Sequence, residues 1–278
     1  MKKILLATTL IAASTGYASA EIAVTGKARM GIIDNGSGIG AQFTSRVRII
    51  FTASGETDGG LAFGASVRND QSGQGNTANG DSTVYISGAF GKLTMGDVSG
   101  AADSLVGQVS GVGLTGIGDY NEIDFLGNPK TAVMYEYSTG ALTFGLGIGQ
   151  ANTGTDAYSV AAKYSTDAFT VALGYEKNGA VKQTSLFGSG TFSGATLKAK
   201  IVDQNTAADM AYALSVDYGI SGATVTAFYS DNADFDAASA YGLGASYDLG
   251  GGASVVGGIA KKEGTPNAQF DIGVSMSF

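Results

Sequence analysis

The chain has 278 residues, enough for one large or two ordinary domains, with 44 Gly, only 2 Pro, and no Cys, His or Trp. Without Cys there is no disulfide framework or thiolate metal site, and without His no Ser-His or Cys-His nucleophile pair and no imidazole-bound metal. The net charge of −8, from 24 acidic and 16 basic residues, argues against nucleic acid as a partner, and 14% charged residues is sparse for a soluble globule.

The first element is a secretion signal. Met1, Lys2 and Lys3 form a basic start, 4–13 is apolar, and Ala18-Ser19-Ala20 is a small-residue cleavage site before Glu21. The apolar run is too short to remain as a membrane span of about 20 residues. Removing 1–20 takes away two lysines and no acid, leaving 258 residues with a net charge of −10.

From Glu21 onward the dominant period is two, the signature of β-strands. On the first strand Ala23, Thr25, Lys27, Arg29 and Gly31 share one face. On the second, Phe43, Val47, Ile49, Phe51 and Ala53 share a face with Ser45, while Gln42, Thr44, Arg46, Arg48 and Thr52 lie opposite. The third carries Leu61, Phe63, Ala65 and Val67 against Arg68, and the polar stretch 69–82 reads as a long connector. A fourth strand, with Val84, Ile86 and Phe90, leads to a short turn at Gly91-Lys92. The alternation resumes in 142–148, 169–175, 197–201, 210–218, 225–229, 241–247 and 270–278. The count is about sixteen strands of roughly ten residues, the length a tilted strand needs to cross a bilayer.

Short turns such as 139–140, 166–167, 193–194 and 249–252 follow even-numbered strands, and longer polar connectors such as 203–208 and 231–238 follow odd-numbered ones. Aromatic residues sort the same way. Phe51, Phe90, Tyr137, Tyr164, Phe169, Tyr218, Tyr247 and Phe278 lie by the short-turn end; Phe43, Tyr158, Tyr175, Tyr229, Tyr241 and Phe270 lie by the other. Two aromatic girdles bounding an apolar band describe an all-β fold: a transmembrane antiparallel β-barrel of about 16 strands over 21–278.

If the apolar face meets lipid, the other face lines a pore. Lys27, Arg29, Arg46, Arg48 and Arg68 then converge on one wall of three adjacent strands, since a lipid-facing Arg or Lys at the midplane would cost about 2–4 kcal/mol. The bland alternative is a wet surface solvated by these cations. Lys163, Lys198, Lys200, Glu136, Glu176, Asp217 and Asp248 also face the lumen by alternation, which leaves the sign of ion selectivity open.

The longest connector, 99–130, carries Asp103, Asp119, Glu122 and Asp124 and no basic residue before Lys130. Its apolar anchors Val106, Val109, Val112, Leu114, Ile117 and Phe125 point to folding against another surface, and long unpatterned segments are commonly functional. Folded inward, the loop would set carboxylates opposite the arginines and make a polar slot with a transverse field. The alternative is an exposed loop with solvated acids. Asp119, Glu122 and Asp124 are weak candidates for structural Ca²⁺; no other cofactor is expected. Nothing singles out a pair of carboxylates for glycoside hydrolysis, so no enzymatic activity is expected. The Gly-rich stretches 36–40 and 250–252 do not lead into helices and read as turns.

The stretches SRVRIIFTASGETDGGLAFGASV (45–67), GAFGKLTMGD (88–97) and AYGLGASYDLGGGASVVGGIA (240–260) resemble the alphaproteobacterial general-diffusion porins, sixteen-stranded trimeric barrels. The resemblance implies a homotrimer in outer-membrane lipid, and the loop after strand five, here 99–130, folded inward as a constriction. It maps that family's basic cluster onto Arg29, Arg46, Arg48 and Arg68, with Lys27 added, and the acidic side onto Asp103, Asp119, Glu122 and Asp124. It also implies that Phe278 is an assembly signal read by the barrel-assembly machinery. The expected function is passive diffusion of small hydrophilic solutes and ions. A solute-selective porin and a non-conducting structural or adhesin barrel are the alternatives.

Overall fold

The computed structural model describes residues 20–72, 76–128, 131–151, 154–232 and 237–278. Of the expected signal segment only Ala20 falls among them, and Lys130 lies outside them. The first strands are β1 (Glu21–Asp34), β2 (Gln42–Glu56), β3 (Ala62–Ser72), β4 (Asn76–Gly88) and β5 (Gly91–Gly96). Then come β6 (Ala132–Thr139), β7 (Leu142–Ile148), β8 (Ala157–Ser165), β9 (Phe169–Asn178), β10 (Val181–Phe192) and β11 (Ala195–Gln204). The wall is completed by β12 (Ala211–Ile220), β13 (Ala223–Asn232), β14 (Ala237–Gly250), β15 (Ala253–Lys262) and β16 (Gln269–Ser277). Each strand pairs with its chain neighbours, and β16 pairs with β1, closing the sheet.

Closure leaves no edge, which a sheet surrounded by hydrocarbon requires, because unpaired backbone groups there have no water to turn to. No helix among the described residues is long and apolar enough to cross a membrane. The strands do the crossing. Ile22, Val24, Met30 and Ile32 on β1, and Leu243 and Tyr247 on β14, are exposed on the outer surface. A soluble protein seldom presents such a continuous apolar belt; a barrel in lipid must.

The aromatic residues cluster as the alternation implies, with ring pairs Tyr164–Phe169 at 5.8 Å near the short-turn end and Tyr158–Tyr175 at 6.3 Å and Tyr212–Tyr229 at 5.9 Å near the other. At the seam, Phe278 donates its backbone N–H to Gly26 O (3.0 Å) and accepts from Gly26 N (2.6 Å), while its ring stays exposed in the short-turn belt.

Two boundaries differ from the sequence reading. The stretch 69–82 is not a connector: β3 and β4 continue into it and pair, as in Asp70 with Ala78. Its polar composition hides the strands because this hairpin has no apolar face to display. The turn after β4 is at 89–90, two positions earlier than expected, and Gly91-Lys92 opens β5. The sorting of connectors also has an exception, since β9 and β10 are joined by only two residues.

The core lies inside the barrel, between its wall and the segment joining β5 to β6. That segment holds a short helix, α1 (Ala101–Val106), against β7 to β10, and a single 3₁₀ turn at Ile117–Asp119 beside β15 and β16. Val106, Val109 and Ile123 pack on Ala172, Phe187, Val202 and Ala213, and Val112 and Ile117 pack on Phe228, Ala240 and Ala260. The expected anchors Val106, Val109, Val112, Leu114 and Ile117 are buried, and Phe125 is partly so. Small wall residues let the loop approach. A Cβ on Gly174 would stand 2.7 Å from that of Ala102, and one on Gly258 would stand 2.6 Å from Gly113 N. Glycine is the residue that admits a second backbone this closely.

Candidate pore constriction

Burying a loop inside a barrel strands its backbone polar groups unless the wall supplies partners. The inward-facing side chains of β8 to β16 do so in sequence. Gly100, before α1, offers no capping side chain, and Ser159 on β8 instead accepts from Ala101 N at 2.6 Å. Glu176 on β9 accepts from Leu126 N (3.2 Å), and Gln183 on β10 donates to Asp124 O (2.8 Å). On β11, Lys200 Nζ donates to Gln108 Oε1 (2.8 Å) and Ile123 O (2.7 Å) and lies 3.6 Å from the Phe125 ring centroid.

Further round, Lys198 donates to Ser110 Oγ (2.6 Å), Ser110 donates onward to Asp217 (2.6 Å), and Ser215 accepts from Ser110 N (2.9 Å). Ser230 and Asn232 on β13 donate to Tyr120 O (2.5 Å) and Glu122 O (2.9 Å). Asp271 on β16 accepts from Leu114 N (2.8 Å), Thr115 N (2.6 Å) and Thr115 Oγ1 (2.6 Å).

This placement corrects the sequence reading at two charges. Lys200 and Glu176 do not face open lumen; they are 0% and 3% exposed beneath the loop. Alternation reports only that a side chain points inward, not that another segment covers it.

The cations expected on β1 to β3 do come together. Ladder register sets Lys27 opposite Arg48 and Arg29 opposite Arg46, and Arg68 enters from β3. Like charges directly across a ladder are destabilising, so the wall holds these cations at some cost in stability. Asp70, which sequence reasoning missed, offsets part of it. It accepts from Arg48 Nε and Nη2 at 2.8 and 2.9 Å, and Arg68 Nε lies 3.3 Å away. Its position two residues after Arg68, on the same face, was the available signal. Arg29 Nη1 donates to Leu114 O at 3.2 Å, so the basic wall touches the tip of the loop.

The four loop carboxylates separate. Asp119 is exposed and within electrostatic reach of Arg29 and Arg46. Glu122 and Asp124 line a recess together with Asp119. Asp103 lies on α1, with Lys200, Glu176 and Glu122 as electrostatic neighbours. Among the described residues no three acidic side chains gather closely enough to hold a metal ion, so Asp119, Glu122 and Asp124 share a recess without forming a coordination set.

Partial burial, reinforced by the charges of Asp119 and Asp124, pushes the Glu122 carboxyl above its ordinary value. The folded chain therefore binds a proton here at a pH where the unfolded chain has lost it, and loop packing weakens as pH rises through that window. Acidification should shift the reversal potential in a salt gradient toward anions, beginning above the usual glutamate range. Glu122→Gln should remove that early component; an unchanged pH profile in this variant would place the titration elsewhere.

A family model described as Gram-negative porin matches residues 7–267. The chain is 36% identical to a porin of Rhodobacter capsulatus over 93% of this chain and 100% of the relative, and 27% identical to a porin of Fuscovulum blasticum over the same shares. A porin structure refined at 1.8 Å superposes with a TM-score of 0.79 at 34% identity, covering 93% of this chain and all of that one. An engineered variant of the Rh. blastica porin, 23% identical over 92% of this chain and all of its own, shares the fold with a TM-score of 0.77. The family model spans most of the chain, and the Rhodobacter capsulatus relative is covered in full: the chain belongs to the Gram-negative porin family, a family of outer-membrane diffusion channels.

Proposed function

We propose that Lys27, Arg29, Arg46, Arg48 and Arg68 form one side of the channel's narrowest section, and that the loop bearing Asp119, Glu122 and Asp124 forms the other. Small hydrophilic solutes and ions pass between them by passive diffusion, with no reaction and no energy input. The observation that carries this reading is the stitching of the loop to β8–β16 while the cations occupy β1–β3, with Arg29 meeting Leu114 O. Opposed charges across a polar slot orient water and dipolar solutes and disfavour apolar ones.

The channel works as a homotrimer, as the family resemblance supports. Residues 1–20 direct export and are removed, and the barrel-assembly machinery reads Phe278, whose exposed ring at the chain end supports that role.

The test is reversal potential in a planar bilayer for Arg46→Ser/Arg48→Ser. A unit charge about 7 Å from a passing ion in water is worth ~0.6 kcal/mol, so losing two should move the permeability ratio toward cations by roughly threefold to tenfold. Freed from Arg48, Asp70 pushes the same way. An unchanged ratio in a conducting variant would move the constriction away from this wall.

A further inference from the structure

The hairpin of β9 and β10 breaks the pattern of long connectors at its rim, since only Gly179 and Ala180 join the two strands. Near its tip Lys177 and Lys182 stand directly opposite each other on the ladder. Both point out of the barrel, because Glu176, Asn178 and Gln183 beside them point inward and bond the internal loop.

Like charges directly opposed across a ladder are destabilising, so this pair calls for a counter-charge. Among the described residues neither ammonium has a hydrogen bond or an ion pair. Lys177 Nζ lies over the Tyr158 ring, 5.7 Å from its centroid. Lys261, which also faces outward at this rim, is committed to Thr265 O. The acids nearest in register, Asp203 opposite Thr184 and Asp156 just ahead of β8, pair with neither lysine. On a chain of net charge −8, this is an uncompensated positive spot on the outside of the wall.

Toward the membrane centre the same face turns apolar. Tyr158 and Tyr175 adjoin the lysines, and beyond them Val160, Ala162, Leu173, Tyr175 and Thr184 line an open groove of about 430 Å³. Ala162 sits between Phe144 and Leu173 in register, and its small side chain leaves the space. Leu173 is four residues from Lys177 on β9, roughly 13 Å along the strand. One face thus offers a place for an anionic head and, a short way below it, a place for an apolar tail.

We propose that this face holds one phosphomonoester lipid of the outer leaflet, its phosphate between Lys177 and Lys182 and an acyl chain in the groove of Val160, Ala162 and Leu173. Charge complementarity selects the head. Two ammoniums are matched by one phosphate carrying about −1.5 to −2, and not by a phosphodiester or a zwitterion. The two tyrosines mark the depth at which headgroups lie, since rings with a polar tip settle there. The site is on the outside of the wall, so it is independent of the constriction proposed above.

The experiment is native mass spectrometry of the purified, folded barrel from micelles containing dioleoyl phosphatidic acid. The phosphatidylethanolamine and phosphatidylcholine with the same chains, and inorganic phosphate, are the comparators. One retained phosphatidic acid per chain is expected, held at least about tenfold more tightly than either zwitterion. Lys177→Gln/Lys182→Gln, compared as a folded, heat-resistant barrel, should abolish that preference, and Asp203→Asn should strengthen it. Ala162→Phe fills the groove without touching the lysines and should weaken phosphatidic acid by about tenfold. Equal retention of phosphatidylethanolamine, or an unchanged preference in the double Gln variant, would overturn the proposal. Displacement of the lipid by inorganic phosphate, or full retention in Ala162→Phe, would overturn it in favour of a site for free anions. The constriction is judged separately by reversal potential, so either reading can fail alone.

Discussion

Asp271→Ala is expected to release the tip of the internal loop while leaving the barrel standing. Asp271 is 2% exposed, and its two oxygens take three donors from Leu114 and Thr115. Deleting the carboxylate strands those donors, at about 1–3 kcal/mol each before any water enters, so a local loss on the order of 3–5 kcal/mol is the working figure. The ladder bonds of residue 271, facing Ile33 and Gly258, involve only backbone and survive the change. Single-channel records should therefore show larger mean conductance and more open-channel noise, and added protease should cut near 113–119. Heat resistance of the barrel in detergent should stay near that of the parent. Asp271→Asn, which keeps an acceptor but turns the other oxygen into a donor, should fall between. Parent-like noise in the Ala variant would mean that packing of Val112 and Ile117 alone secures the tip.

The second large effect is expected at Lys200. Methionine keeps an unbranched apolar stem but deletes the cation that sits over the Phe125 ring, leaving buried Glu176 and nearby Asp103 without their main compensating charge. Removing one member of a buried charged set typically costs about 3–5 kcal/mol, whereas removing both charges is often neutral or stabilising. Lys200→Met should thus lower stability in equilibrium urea unfolding of the lipid-inserted barrel, and adding Glu176→Gln should recover most of the loss. Gln108 keeps its acceptor role toward Ile123 N in either case, so the cycle isolates the charges. Additive losses in the double variant would show that Lys200 acts through its hydrogen bonds and not through compensation of Glu176.

How much of this was written plainly in the sequence depends on which physical rule carried the information. Period-two alternation is a local property, so it placed Phe43, Val47 and Phe51 outside and Arg46 and Arg48 inside without any long-range knowledge. The loop's apolar anchors were legible for a similar reason: valines recurring in a segment with no strand period must be buried against something. What alternation could not carry was which inward side chains the loop would cover. Lys200 and Glu176 read as two more lumenal charges, and Asp271 was not singled out at all. Only the path of the loop, which runs from Ala101 against Ser159 of β8 to Leu114 against Asp271 of β16, turns them into buried anchors. Asp70 was missed because a polar run looked like a connector. Asp103 was grouped with the other loop acids by sequence proximity, and it lies on a helical turn with Lys200 and Glu176 as electrostatic neighbours.

The seam of the barrel has a consequence for how the molecule can be made. Lys27 pairs with Ser277, and Gly26 with Phe278, so the last ladder joins positions about 250 residues apart. Until β16 is in place, β1 and the strand at the other margin of the sheet present open edges, which hydrocarbon does not tolerate. A contact of such span is also among the slowest for a chain to find unaided, since loop-closure entropy must be met before any pairing rewards it. The wall therefore cannot be completed strand by strand: fifteen strands can be paired and the sheet still has two open edges, so closure is one late step made across the β1–β16 ladder.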